Sequence, residues 1–160
     1  MAERAIVDLK ADTRFLRQLS REFSASELST CFQCGVCTAS CPVREFEQTF
    51  SPRRIMKLAK LGLKDEVLSS DFIWLCSMCF VCQERCPQDV RPPEVMTVLR
   101  NMAAKEGLAP QNLVKLREVL SAAGRIYEID DFIQDERDYR ELPEVEAEPE
   151  FIKKIAEAGQ

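Results

Sequence analysis

One spacing constrains this chain more than anything else in it. Residues 31–42 read Cys31-Phe32-Gln33-Cys34-Gly35-Val36-Cys37-Thr38-Ala39-Ser40-Cys41-Pro42, a C-x2-C-x2-C-x3-C-P run. The same run returns 45 residues later at Cys76, Cys79, Cys82, Cys86 and Pro87. These two stretches hold all 8 cysteines of the 160-residue chain. The spacing is that of 4Fe–4S cluster binding by thiolates, so two 4Fe–4S clusters are predicted, with the rest of the chain wrapped around them.

Other uses of eight cysteines fit less well. A disulfide framework belongs to small secreted chains. Here the start, Met1-Ala2-Glu3-Arg4-Ala5, lacks the apolar core of a signal peptide, so reduced thiols and a cytoplasmic location are expected. A zinc ribbon closes one tetrahedral site with two Cys-x2-Cys pairs. A third cysteine two residues on and a fourth before proline serve no such site. Structural thiols would be scattered over apolar faces instead of gathered twice.

The proline after each fourth cysteine fixes its own φ and favours an extended residue before it. The chain then turns away, and in two-cluster proteins the fourth cysteine serves the other cluster. Cluster one is therefore expected on Cys31, Cys34, Cys37 and Cys86, and cluster two on Cys76, Cys79, Cys82 and Cys41.

The chain has no histidine, which excludes histidine-ligated haem and Rieske-type ligation within it. No nucleophile–base pair stands out, so no catalytic residue is assigned. No apolar run approaches the ~20 residues that span a bilayer. Net charge is −5 but uneven: residues 1–127 carry 18 basic and 15 acidic side chains, residues 128–160 carry 4 and 12. A mildly basic body suits anionic thiolate-bound clusters. The excess is far too small for a nucleic-acid footprint.

Between and around the motifs the pattern is helical. Ile6-Val7-Asp8-Leu9 reads as a short strand or arm. Asp12 or Thr13 caps a helix carrying Phe15, Leu16, Leu19 and Phe23 on one face. Ser51 and Pro52 open the spacer helix, with Ile55, Leu58 and Ala59 on its apolar side and Gly62 as its stop. A short helix through Asp65–Leu68 leads to Phe72-Ile73-Trp74-Leu75. Pro92-Pro93 open a helix with a stripe of Val95, Val98, Leu99, Met102 and Ala103, ended by Gly107. Pro110 opens another, with Leu113, Leu116, Val119, Leu120 and Ala123 expected inward and Gly124 as its stop. Trp74, Phe32 and Phe80 are expected chiefly as core, with shielding of the clusters from water as the second reading.

From residue 128 the chain turns acidic, with Pro143, Pro149 and interspersed apolar residues. Two readings stand: a solvated tail, or a partner-docking segment, extended over 142–149 with a last helix at 150–158. The domain plan is thus 1–127 for the clusters and 128–160 for an acidic C-terminal segment.

Two such motifs joined by helices resemble the α-helical ferredoxin fold, which also occurs in succinate dehydrogenase and fumarate reductase. Within that fold, the run at 31–42 resembles the first motif of HdrC, the iron–sulfur C subunit of heterodisulfide reductase. Trp74-Leu75-Cys76-Ser77-Met78-Cys79 and Glu84-Arg85-Cys86-Pro87-Gln88-Asp89-Val90 resemble its second. With the Pro-Glu-Val-Met helix downstream, the likeness covers residues 25–125. The fold class is accordingly mainly α.

That resemblance implies an electron-transfer protein without bond chemistry of its own. It would relay electrons between a flavin-bearing A-type protein and a B-type protein whose Cys-Cys-Gly motifs carry disulfide reduction. A hydrogenase or formate dehydrogenase module is the implied electron source. This chain has no Cys-Cys-Gly, so the disulfide chemistry belongs to a partner. Two alternatives remain: the iron–sulfur subunit of a succinate, fumarate or glycerol-phosphate oxidoreductase, or a free ferredoxin. The first usually adds a 2Fe–2S module or Cys-Cys-Gly repeats; the second needs no docking tail.

Overall fold

Asp12 caps the first helix. Its carboxylate accepts the N–H of Arg14 at 2.7 Å and of Phe15 at 3.2 Å. These two backbone bonds hold the acid below the usual aspartate range, that to Phe15 most of all. The computed structural model describes residues 10–127, 129–143 and 149–158, the side chains of 23–26 and 156–158 excepted. Ile6–Leu9 and the side chain of Phe23 thus lie outside the described residues.

In chain order the elements are α1 (Thr13–Arg21), a 3₁₀ segment (Phe23–Thr30), α2 (Val36–Ala39), α3 (Val43–Phe46), α4 (Pro52–Lys60) and α5 (Lys64–Leu68). There follow α6 (Phe72–Leu75), α7 (Val81–Glu84), α8 (Pro92–Lys105), α9 (Gln111–Ala123), α10 (Asp131–Tyr139) and α11 (Pro149–Ala158). No strand occurs among the described residues, so the fold is mainly α as expected.

The spacer helix α4 begins and ends as its sequence dictates. Ser51 Oγ accepts the N–H of Arg54 at 3.2 Å, and Pro52 occupies the first turn, where its missing N–H costs nothing. At the other end Gly62 takes φ +73°, with its N–H on Ala59 O and that of Leu63 on Leu58 O. A Cβ here would stand 3.1 Å from the Leu16 side chain and 3.2 Å from Asp12 O. Asp12 N–H in turn donates to Gly62 O at 2.8 Å, so the stop of α4 is also the seat of α1.

Helix α8 is the axis of the first compact unit, residues 1–108. Val95, Met96, Val98, Leu99, Met102 and Ala103 are all buried. They face Ile55, Met56 and Ala59 of α4, Val67 and Leu68 of α5, Ile73 of α6, and Phe15 and Leu19 of α1 within one core. Each large side chain buried in this way contributes about 1.5–3 kcal/mol relative to exposure. Phe50 and Phe72 meet edge to face at 6.3 Å. The 3₁₀ segment, α4, α5, α6 and α7 all pack on α8, which carries the frame to both cysteine runs.

The second unit spans residues 109–160, and within it α9 packs with α11. Here one expectation fails. No residue of α9 is buried, and Leu113 and Leu116 are each 40% exposed. Its apolar stripe has the same period as that of α8, but no core of comparable size covers it. The ends of α9 are as read, with Pro110 before it and Gly124 at φ +72° after it. The acidic stretch includes α10, begun by Asp130, whose carboxylate accepts the N–H of Ile133 at 2.8 Å. The extended segment expected at 142–149 falls largely outside the described residues, whereas α11 forms at Pro149–Ala158.

Candidate iron–sulfur centre

The two cysteine runs fold alike. In the first, Gln33 and Gly35 take φ +63° and +90°; in the second, Met78 and Phe80, 45 residues on, take +56° and +61°. Left-handed residues on either side of Cys34 and of Cys79 curl the chain, so that three successive cysteines ring one centre. A single helical turn then starts in each run. The N–H groups of Thr38 and Ala39 reach Gly35 O, and those of Gln83 and Glu84 reach Phe80 O. The resulting helices, α2 and α7, pack on each other.

Two hollows follow from this arrangement. One is lined by Cys31, Cys34, Cys37 and Cys86, with Gly35, Arg53, Met56 and Val90. The other is lined by Cys41, Cys76, Cys79 and Cys82, with Phe50, Phe80 and Met96. Each takes three cysteines from one run and the fourth from the other. A separate, larger hollow of about 380 Å³ beside α1 is lined by Leu16, Leu19, Leu28 and Lys60 and carries no cysteine. It offers no donor set, so the chemistry lies with the two smaller hollows.

The sulfurs are crowded. Burial pushes the Cys82 thiol up to about 12, helped by the neighbouring thiolates of Cys76, Cys37, Cys41 and Cys79. Burial likewise raises Cys37 and Cys76. Thiolates set this close repel one another unless positive charge lies among them, and an iron core supplies that charge. The eight soft sulfur donors fit two 4Fe–4S clusters.

The frame holds several of these sulfurs directly. Gln33 Nε2 donates to Cys31 Sγ at 3.3 Å, and the Val90 N–H donates to Cys86 Sγ at 3.3 Å. Thr38 Oγ1 accepts the N–H of Arg53 at 3.0 Å and hydrogen-bonds Ser51 Oγ at 3.2 Å, fastening the first run to the start of α4. Nothing in the sequence marks Gln33 and Val90 as partners, because no spacing rule places an amide against a sulfur. Of the aromatics expected in the core, Trp74 packs against it while Phe32 and Phe80 are 60% and 40% exposed. Each directly follows a cysteine of its run, and Phe80, though partly exposed, also lines the hollow of Cys41, Cys76, Cys79 and Cys82.

Comparisons with known proteins bear on the cofactor and the family. Residues 27–90 match the 4Fe-4S dicluster domain family. The iron–sulfur C subunit of the CoB–CoM heterodisulfide reductase from Methanopyrus kandleri is 35% identical over 145 residues, covering 86% of this chain and 74% of that protein. The chain belongs to the HdrC family. The C subunit of the H2:CoB-CoM heterodisulfide,ferredoxin reductase from Methanothermobacter thermautotrophicus is 42% identical over 100 residues, 58% of this chain and 54% of that protein. Its counterpart in the ferredoxin:CoB-CoM heterodisulfide reductase from Methanosarcina acetivorans is 42% identical over 92 residues, 58% of this chain and 36% of that protein. The chain thus spans about half the length or less of two of these HdrC relatives. Its role is electron transfer through iron–sulfur clusters, and among the described residues no helix is long and apolar enough to cross a membrane.

Proposed function

We propose that this chain is the electron relay of a cytoplasmic heterodisulfide-reductase-type complex, passing electrons between a flavin-bearing A-type protein and a B-type protein with Cys-Cys-Gly motifs. Cys31, Cys34, Cys37 and Cys86 hold one cluster, and Cys76, Cys79, Cys82 and Cys41 hold the other. The observation that carries this reading is the pair of hollows, each completed by a cysteine from the opposite run. When bound, the clusters supply reversible one-electron transfer.

The protein's own part is to hold and to shield. Helices α2 and α7, packed together, set the two sulfur sets side by side. The buried face of α8 keeps water from the inner sides of both, while Cys34 and Cys79 stand exposed on the outer sides. An electron would enter past one exposed cysteine and leave past the other. Disulfide reduction itself falls to the partner, since this chain has no Cys-Cys-Gly. The acidic segment 128–160 serves as a docking element.

Anaerobic affinity purification from the native host tests the proposal. Recovery of a Cys-Cys-Gly protein and a flavoprotein with this chain is the expected result, with any hydrogenase or formate dehydrogenase in the same fraction marking the electron source. Recovery of this chain alone, brown and reducible, would leave a free ferredoxin-type carrier.

A further inference from the structure

The first cysteine of each run has its backbone carbonyl gripped by a cation from a distant helix. Lys60, the last residue of α4, donates through Nζ to Cys31 O at 2.7 Å and to Ser29 O at 2.7 Å. Arg100, on α8, donates through Nη2 to Cys76 O at 2.7 Å and through Nε to Ile73 O at 2.6 Å. Cys31 and Cys76 are equivalent positions in the two runs, yet their cations come from different helices and are of different residue types. The 45-residue repeat does not produce this match, since the residue 45 after Lys60 is Lys105, not Arg100.

We infer that Lys60 and Arg100 are potential-setting residues, one for each cluster, acting through the Cys31 and Cys76 carbonyls. The inference rests on the two-cluster reading and not on which partners the chain has. A cluster gains negative charge on reduction, so a cation held one residue's breadth from a ligating sulfur stabilises the reduced form and raises the midpoint potential. Both side chains span to backbone oxygens and touch no other ionised group in these contacts, so their charge is directed at the cluster instead of being neutralised in an ion pair. Arg100 is half-buried and Lys60 exposed, so solvent and salt screen Lys60 more.

The test uses the full chain loaded with iron and sulfide, its iron content counted first, then titrated anaerobically with dithionite under EPR. Arg100→Gln keeps an amide donor but no charge and lowers one of the two midpoint potentials; Lys60→Gln lowers the other, by less at high salt. Arg100→Lys keeps the charge and stays near the native value, which a purely structural tie to Ile73 and Cys76 would not require. The inference is overturned if a fully loaded variant leaves both potentials unmoved, or if both variants move the same cluster. Should Arg100→Gln not retain its iron, Lys60→Gln, at an exposed side chain, decides the matter alone. Half the expected iron in the unaltered chain would instead count against the two-cluster reading itself.

Discussion

Gly35 and Phe80 occupy the same position in the two cysteine runs, and both hold left-handed backbone, at φ +90° and +61°. One run uses the residue suited to that conformation and the other tolerates a bulky side chain in it. A left-handed non-glycine residue carries a strain of about 1–2 kcal/mol, which the surrounding fold must offset.

Gly35→Ala is therefore expected to destabilise the loaded protein by about 1–2 kcal/mol, seen as a lower thermal midpoint. The nearest atoms to an added Cβ, Cδ and Nη1 of Arg53, lie at 3.6 Å, so the loss is conformational and not steric. An unchanged midpoint would mean that the turn can relax. The reverse change, Phe80→Gly, relieves strain but strips a ring from the wall of its hollow, so bleaching in air should quicken even where stability does not fall.

Cys41→Ser separates crossed from uncrossed ligation. Cys41 lines the hollow of Cys76, Cys79 and Cys82, although it lies in sequence with Cys31, Cys34 and Cys37. The expected outcome is an altered or missing EPR signal from the cluster that Cys79→Ser also perturbs. Agreement with Cys34→Ser instead would assign Cys41 to its own run.

Leu99→Ala probes the shared frame. Leu99 is fully buried at the middle of α8, within the one core that backs both hollows. Truncation there should cost about 2–5 kcal/mol in urea unfolding and shorten the lifetime of both clusters together. Loss of only one cluster would show that the two runs are supported independently.

Removing residues 128–160 tests the docking role. All eight cysteines lie within the first compact unit, residues 1–108, so cluster content and both EPR signals should survive the deletion. Binding to the partner proteins should weaken. Full affinity of the shortened chain would make the acidic segment a solvated appendage.

How much was legible in the sequence differs from residue to residue, and for physical reasons. Ser51-Pro52, Pro92-Pro93, Gly62 and Gly107 mark helix ends because capping is settled within a few residues. The stripe of α8 was legible as a buried face, but the equally periodic stripe of α9 was not distinguishable from it. Periodicity states that a face is apolar and says nothing of what covers it. Helix α10 was missed because acidic composition masks a helix whose one local signal is its Asp130 cap. Among the site residues, the cysteines stood out by spacing alone. Lys60 and Arg100 did not, since their partners are backbone oxygens 24 to 31 residues away, and any residue type supplies a carbonyl.

If the clusters take the ligands proposed above, the shared lining of the two hollows sets an order on the making of the protein. A nascent chain that has emerged only as far as α6 presents four of its eight cysteines, and these belong to two different sets. The set of Cys41 is complete only with Cys82, and the set of Cys31 only with Cys86, so both close within one helical turn of each other. On that ligation, metal loading would be deferred until the second run has been made. A polypeptide broken before that point offers no finished site on which iron could be stranded.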